Sequence, residues 1–365
     1  HHINQWEFFM NKSLLHHLLT PFHNMFADYI SVISSYKNNT SKKVLALSCD
    51  FLPFEILAAY NTTPLKIPST MANQIHQLNT PSAPVMEPVT LPFDLIISHN
   101  SCPDFPALPL TQNIPLYCCN TFKGYGEDAS IEIHEIMGAL LQENDFGNID
   151  LLQNETLQNA AAPIDTVRKL VRGISSLRSE KPDLLSNSDI FTIFEAAICF
   201  PAELVIDSLQ RILDAMNSES SLYTNNNIPV LVNAWSIKDF SLLDEIEDAG
   251  FIIVEDDICG GRRQFDLSFN VASGYLYYEI LNSFSFKPLC PSIRPADERF
   301  DLLYKLLRNH GISTVLFLTD KDDAFHSDQT EYLRKKLMRS GIDPVIADTD
   351  TIIDAVTTYK RHSMR

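Results

Sequence analysis

At 365 residues the chain exceeds the usual size of one domain, so two domains are expected. Its composition, 45% hydrophobic and 20% charged, is ordinary for globular proteins and excludes disorder of the whole chain. The 28 basic residues against 46 acidic ones give a formal charge of −18, which repels phosphate backbones and anionic membranes and excludes nucleic acid as an expected partner. No apolar stretch reaches the roughly 18 residues that span a bilayer and no leader pattern opens the chain, so we predict a cytoplasmic protein without a membrane partner.

The first part of the chain reads as helix followed by short strands. Apolar residues recur at helical spacing from Trp6 to Phe22, with Pro21 as a kink. Four short apolar runs follow, each bounded by Pro, Asn, Ser or Thr as buried parallel strands are, at 44–47, 65–67, 94–98 and 114–118. We therefore predict an N-terminal helical segment over residues 1–40 and a first α/β domain over residues 41–126.

The rest of the chain predicts a helical stretch and a second sheet. Helical patterning runs from Glu127 to Asn217 and ends in a polar loop, which indicates a helical connection over residues 127–227. Strand patterns then alternate with amphipathic helices, and this alternation is typical of parallel sheets; the strands are at 228–233, 251–255, 314–318 and 344–347. The predicted fold class is α/β, with two Rossmann- or flavodoxin-like parallel-sheet domains, the second over residues 228–365.

Common nucleotide and hydrolase motifs are missing from the sequence. Without a G-x-x-x-x-G-K-[ST] loop the chain is not expected to hydrolyse ATP itself. Gly124-Tyr125-Gly126 lacks the third glycine of a dinucleotide fingerprint, and neither a G-x-S-x-G elbow nor an H-E-x-x-H pair occurs.

Cysteines are the remaining candidate site residues. Seven cysteines, an odd number without a secretory signal, favour free thiols or metal ligands over disulfides. Cys49, Cys102 and Cys259 each follow a predicted strand, and ligands bind outside the carboxyl ends of parallel strands. Cys199 lies in an apolar helix and is predicted to be a core residue, as are the adjacent Cys118 and Cys119.

Several segments carry a resemblance to a known family. One comprises the strand at 44–49, the Pro-Phe-Glu-Ile-Leu helix start at 53–57 and Pro64-Leu65; another is Ser101-Cys102-Pro103-Asp104. The second half adds 228–262, which ends in Asp256-Asp257-Ile258-Cys259-Gly260-Gly261-Arg262, then Leu289-Cys290-Pro291 and 341–345. In their order and placement, from about residue 44 to 357, these segments resemble the D-component family of 2-hydroxyacyl-CoA dehydratases and benzoyl-CoA reductases.

The resemblance implies an iron–sulfur cluster, of the [4Fe–4S] or double-cubane type, held by cysteines of both halves. The matching positions here are Cys49, Cys102, Cys259 and Cys290. It also implies radical dehydration or reduction of an acyl-CoA thioester, an ATP-hydrolysing activator that delivers one electron, and a homo- or heterodimer partner subunit. The helix from Trp6 to Phe22 is the candidate contact with that subunit.

The chain departs from the family pattern at two expected ligand positions. Residues 68–94 contain no cysteine, and Asp320-Lys321-Asp322-Asp323-Ala324 stands where a Phe-Cys-Asp-like turn is expected. Because exchanging thiolate for carboxylate weakens affinity for such clusters, the alternative is a non-catalytic relative that has lost the cluster and acts as a binding or scaffold partner.

Charged residues leave further alternatives open. Glu55 at a helix start is either a first-turn acid that complements the helix dipole or an acid/base group beside the cluster. Asp256, Asp257 and Arg262 either orient a substrate or satisfy a tight Gly-Gly turn. The basic run at 168–181 is predicted to be a solvated helix face, with binding of CoA phosphates as the alternative.

Overall fold

Two four-stranded, all-parallel sheets flanked by helices form the fold, as predicted. The computed structural model describes residues 15–68, 90–99, 114–119, 126–221, 227–234, 237, 239–287, 296–319, 324–348 and 351–363. In this part of the chain, no helix is both long and apolar enough to cross a membrane.

The first sheet has the strand order β2-β1-β3-β4, so β2 and β4 lie at its edges. Its strands are β1 (Lys43–Leu47), β2 (Thr62–Lys66), β3 (Leu95–His99) and β4 (Leu116–Cys119). The helices α1 (Thr20–Ala27) and α2 (Tyr29–Thr40) precede it, and the short α3 (Phe54–Ala58) joins β1 to β2. Leu47 pairs with Lys66 on one side and with Ile97 on the other, so the three strands end at about the same level.

The second sheet repeats this arrangement with the order β6-β5-β7-β8. Its strands are β5 (Ile228–Ala234), β6 (Phe251–Ile258), β7 (Thr314–Thr319) and β8 (Asp343–Asp348). The helices of this half are α8 (Ser241–Asp248), α9 (Leu276–Ser285), α10 (Ala296–His310), α11 (Ala324–Arg339) and α12 (Ile352–Ser363), and a 3-10 helix covers Arg262–Phe265. The predicted strands of both halves are confirmed.

Four helices connect the two sheets in the chain. They are α4 (Glu127–Glu143), α5 (Asn154–Glu180), α6 (Asn187–Cys199) and α7 (Ala202–Ser218), with a 3-10 helix at Ile149–Leu151. The 27-residue α5 contacts α3 of the first half as well as β6 and the Arg262–Phe265 helix of the second. It therefore forms a common support for both halves.

One hydrophobic core joins the two sheets. Val44 and Ala46 of β1 belong to the same buried cluster as Val230 of β5 and Val171 of α5. The alternate residues Leu45 and Leu47 point to the opposite face, where α4, α5 and α9 cover the sheet. Because both faces are covered, these strands are apolar throughout, which is why short continuous apolar runs marked them in the sequence.

The described part of the N-terminal helical segment packs into this joint core. Leu15, Leu19 and Phe22 are fully buried there. The predicted use of this segment as a contact for a partner subunit is therefore wrong for these three side chains, because their own chain already covers them. The remainder of that predicted contact lies outside the described residues.

Candidate functional site

The carboxyl end of β2 meets the turn after β6, so the two halves face each other at strand ends. A Cβ atom placed on Gly260 would lie 3.4 Å from Nζ of Lys66, the last residue of β2, and 3.6 Å from Nε2 of Gln264. Cys259 precedes this glycine, and Cys49 follows β1, which neighbours β2. The ends of β2 and β6 therefore lie close together, and the convergence of the predicted thiols on a crevice there stays a prediction.

Lys66 is a buried cation placed between thiols of both halves. Burial lowers the pKa of Lys66, but the surrounding Cys259, Cys199, Glu195 and Cys49 raise it by more, so the pKa is raised overall. Its ammonium group therefore stays charged although it is out of water. A buried positive charge of this kind stabilises negative charge on thiolates or on a ligand at the same place.

Lys287 supplies a second buried cation next to Cys49. Its ammonium pairs with the carboxylate of Asp50 and lies 3.4 Å from the backbone oxygen of that residue. Burial lowers the pKa of Lys287 to about 7, and the neighbouring Cys49 opposes this shift. The segment after β1 is in this way tied to the segment after α9, 237 residues further along the chain.

A cleft with a cavity of about 130 Å³ runs beside these groups along the edge strand β2. Both halves contribute to its walls, which combine apolar side chains with a few polar ones. Among the lining residues are Asp50, Phe54, Thr63, Arg168, Gln264 and Lys287. A largely apolar cleft with convergent polar groups is the usual form of a small-molecule site.

Several buried polar atoms near the strand ends have no hydrogen-bond partner in the described structure. They are Oγ of Ser48, Oγ1 of Thr63, Oε1 of Gln264 and both ring nitrogens of His99. The ring of His99 packs 4.8 Å from that of Phe51, and burial lowers the pKa of His99 to about 4. Since buried polar groups normally find partners, such a group of open ones is suited to a ligand.

Glu55 lies in the first turn of α3 and is fully buried. Its carboxylate pairs with the guanidinium of Arg168 on α5. Burial lowers the pKa of Arg168 to about 9, and the neighbouring Arg172 adds to this shift. The pair joins α3 to α5 beside the cleft, and an acid/base role for Glu55 stays a prediction.

Most basic residues of α5 are buried or hydrogen-bonded to the protein, so the prediction of a solvated helix face is wrong for them. Arg168 and Arg178 are buried, and Arg172 donates hydrogen bonds to the backbone oxygens of Phe265 and Leu267. Lys169 fits the prediction, because 65% of its side chain is exposed. The arginines turn inward because each meets a buried acceptor, which a local charge pattern does not reveal.

The acidic residues of β6 are buried among arginines. Asp257 accepts hydrogen bonds from Asn233 at 2.7 Å and Arg263 at 3.1 Å, and it also pairs with Arg299. Asp256 pairs with Arg178 at 2.8 Å. These partners support a structural role for both aspartates, and a substrate-binding role for Asp257 stays a prediction.

The Gly-Gly turn after β6 is built around Asp256 and Arg262. Oδ1 of Asp256 accepts from the backbone N–H of Arg262 at 3.1 Å, and a Cβ on Gly261 would lie 1.9 Å from the same oxygen. The side chain of Arg262 pairs with Glu255, which also lies 3.0 Å from His310. Burial raises the pKa of Glu255 to about 7. This geometry supports the turn interpretation, and a substrate role for Arg262 stays a prediction.

A comparison against protein families identifies the family of the chain. The family model described as 2-hydroxyglutaryl-CoA dehydratase, D-component, matches residues 132–357, well over half of the chain. The chain belongs to this D-component family. The match begins within α4 and includes Cys259 and Lys287, whereas Cys49 and Lys66 precede it. No curated protein sequence matches the chain.

The thiols of this D-component fall into four groups. Cys49 and Cys259 follow the carboxyl ends of β1 and β6, while Cys102 and Cys290 lie outside the described residues. Cys199 is buried, as predicted for a core residue, and so is Cys119. Cys118 is exposed, so its predicted core position is wrong; neighbours in a strand point to opposite faces, so burial of Cys119 does not bury Cys118.

Of the four cysteines predicted to hold an iron–sulfur cluster, Cys49 and Cys259 lie in the described structure. Within the ranges that the structure describes, no group of three or more His, Cys, Asp or Glu side chains could hold a metal ion. The charge of the site nevertheless fits an anionic cluster, because the buried Lys66 has a raised pKa and stays charged, and the buried Lys287 pairs with Asp50 next to Cys49. The sequence analysis did not identify Lys66, Lys287 or His99 as site residues. Lys66 and His99 are polar residues at the ends of β2 and β3, and this position was the available signal for them.

Proposed function

We propose that the chain acts as a 2-hydroxyacyl-CoA dehydratase subunit that binds an acyl-CoA thioester in the cleft and holds an iron–sulfur cluster. One observation carries the proposal: the buried cation Lys66 lies beside the Gly260 turn that follows Cys259, and both Cys259 and, to a smaller extent, Cys49 raise its pKa, as the core thiol Cys199 also does. Thiolates brought together at the junction of two halves are the ligands that such clusters take. Cys102 and Cys290 complete the proposed set of four.

The two buried lysines have a defined part in this proposal. A cluster with four thiolate ligands is anionic, and neighbouring positive charge favours its binding. Lys66 faces thiols of both halves and serves as the counter-charge. When bound, the cluster supplies a low-potential electron, which the ATP-hydrolysing activator has delivered to it.

The cleft residues bind and orient the substrate. The cavity of about 130 Å³ suits the acyl thioester end, with the remainder of CoA outside it. Lys287 lies beside the cleft, and its protonated form, which prevails below its pKa of about 7, stabilises negative charge on the thioester oxygen. The apolar walls, such as Phe54 and Phe265, keep water away from that charge.

Iron and sulfide content after anaerobic purification and reconstitution tests the cluster. We expect the wild-type chain to bind both, and Cys49→Ser or Cys259→Ser to lower the iron bound per chain, because serine oxygen is a poor substitute for thiolate. Cys118→Ser is the matched control, since it removes an exposed thiol that is not in the proposed ligand set. Equal iron content in all four proteins would exclude the two crevice thiols as ligands.

Turnover tests the reaction. With the activator, ATP and a 2-hydroxyacyl-CoA we expect formation of the enoyl-CoA, with the Cys259→Ser variant inactive. Reduction of an unsaturated acyl-CoA instead would identify the related reductase branch. A wild-type chain that folds but binds no iron and turns over neither substrate would leave the alternative, a cluster-less binding or scaffold partner.

A further inference from the structure

Helices α4 and α9 form an antiparallel pair at the outside of the first sheet. The backbone N–H of Gly126 donates to the oxygen of Ser285 at 3.4 Å, and Oγ of Ser130 lies 3.4 Å from the oxygen of Leu281. One turn further, Nδ1 of His134 lies 2.6 Å from the hydroxyl of Tyr277. Contacts thus follow the pair in steps of four residues, and the exposed sides of the two helices form one continuous surface.

This surface, here called the docking face, displays large apolar side chains. It comprises the exposed sides of α4, α9 and the 3-10 helix Ile149–Leu151. Of nine large hydrophobic side chains that are exposed in the described part of the chain, five lie on it: Ile131, Leu151, Tyr275, Tyr278 and Phe286. Tyr275 and Tyr278 are 75% and 70% exposed. A cluster of exposed aromatic and aliphatic side chains marks an interaction site more often than chance.

The docking face is also negatively charged. Neither residues 124–167 nor residues 264–286 contain a lysine or an arginine. Exposed acids surround the apolar centre, among them Asp128, Glu135 and Asp150. The ammonium of Lys43, 4.7 Å from the ring of Phe146, is a cation at the margin. Charge complementarity therefore selects a partner with a basic surface, and a second copy of this face would be repelled.

One end of the docking face reaches the crevice. Phe286, half exposed at the start of α4, packs 3.3 Å from the position of a Cβ on Gly126. The next residue is Lys287, which is buried against Asp50 and adjoins Cys49. A partner seated on this end would lie beside Lys287, whose partner Asp50 follows the proposed ligand Cys49, a placement that suits electron delivery.

We propose that the docking face binds the ATP-hydrolysing activator through a basic surface with an apolar centre. This inference rests on the proposed function, which requires that partner. Tyr275, Tyr278 and Ile131 supply the apolar contact, and Asp128 and Glu135 supply the charge contact.

Binding of the full chain to the purified activator from the same organism, measured anaerobically by biolayer interferometry, tests the inference. We expect Tyr275→Ala/Tyr278→Ala and Asp128→Lys/Glu135→Lys each to weaken binding at least tenfold, with wild-type binding weakening as salt rises. Met338→Ala and Glu245→Lys are matched controls, because both residues are exposed but lie on α11 and α8. The controls should bind as the wild type does.

Activity with titanium(III) citrate in place of the activator separates the two proposals. The docking variants should keep this activity while losing activator-driven turnover. If the wild type lacks activity with both reductants, the proposed function fails, and the binding data still decide the docking face. Wild-type affinity in both double variants, no activator binding by the wild type, or loss of self-association alone in the variants would each overturn the inference.

Discussion

The carboxyl ends of the first sheet and strand β6 of the second sheet both bury polar groups, but they do so differently. In β6, Asp256 faces Arg178, and Asp257 faces Arg263 and Arg299. In the first sheet, Ser48 and both ring nitrogens of His99 have no partner in the described structure. Burial alone therefore does not separate a structural group from a functional one; the presence of a built-in partner does.

The physical reason lies in the free energy of desolvation. Moving a charge out of water is unfavourable by several kcal/mol, and only a matched charge with good hydrogen bonds offsets this. Asp256 and Asp257 of β6 meet this condition within the chain itself. Ser48 and His99 of the first sheet lack such partners in the described structure, so hydrogen bonds from a ligand to these side chains would offset the free energy of their desolvation.

The largest expected effect is the loss of a buried arginine from the β6 network. Arg178→Met should lower the free energy of unfolding by about 3–5 kcal/mol, because it leaves Asp256 charged and buried without its partner. Lys169→Met on the same helix is the matched control. Its side chain is mostly exposed, so we expect a loss of about 0–1 kcal/mol. Urea unfolding followed by circular dichroism measures both, and equal losses would contradict the contrast.

A methyl group in the turn after β6 should have the next largest effect. Gly261→Ala would place its Cβ 1.9 Å from Oδ1 of Asp256, so the turn or the aspartate must shift, at a stability loss of about 3 kcal/mol. Gly274→Ala meets no atom within 4 Å and should be close to neutral. Thermal unfolding of the two variants compares them. If Gly261→Ala is as stable as Gly274→Ala, Asp256 does not organise this turn.

Acid should weaken the first sheet through His99. The pKa of His99 in the folded chain is about 4, below the ordinary value of about 6.5. Below pH 6.5, His99 is therefore protonated in the unfolded chain while it stays neutral in the folded chain. Between pH 7.5 and pH 5 this linkage removes about 2 kcal/mol from the free energy of unfolding. His99→Gln should lose this part of the pH dependence, and His23→Gln, at an exposed position, is the control. Urea unfolding at both pH values measures it; unchanged pH dependence in His99→Gln would contradict a buried, neutral imidazole.

The smallest expected effect concerns the cation of the crevice. In the cluster-free chain, Lys66→Met should slow alkylation of Cys259 by the anionic reagent iodoacetate several-fold, because a nearby ammonium attracts negative charge. Lys66→Arg keeps the charge and should restore most of the rate. Mass spectrometry measures the rates, with the exposed Cys118 as an internal reference. Equal rates in wild type and Lys66→Met would place Lys66 outside the electrostatic environment of Cys259.

The strand positions, and the strand-end positions of two cysteines, were predictable from the sequence. Runs such as Val44–Leu47 are apolar throughout because both faces of a parallel strand are covered, and this pattern is local. Cys49 and Cys259 were placed at strand ends on the same basis. The carboxyl ends of parallel strands share one edge of a sheet, so topology alone brings such residues toward a crevice.

The partners of buried charges were decided only by the tertiary structure. Lys287 meets Asp50 across 237 residues of sequence, and Arg178 meets Asp256 across 78. A helical charge pattern predicted a solvated face for Arg168 and Arg178, yet both turn inward. A charged side chain is buried where packing places a matching partner from a distant segment beside it. The local sequence does not identify that partner, so it does not predict the burial.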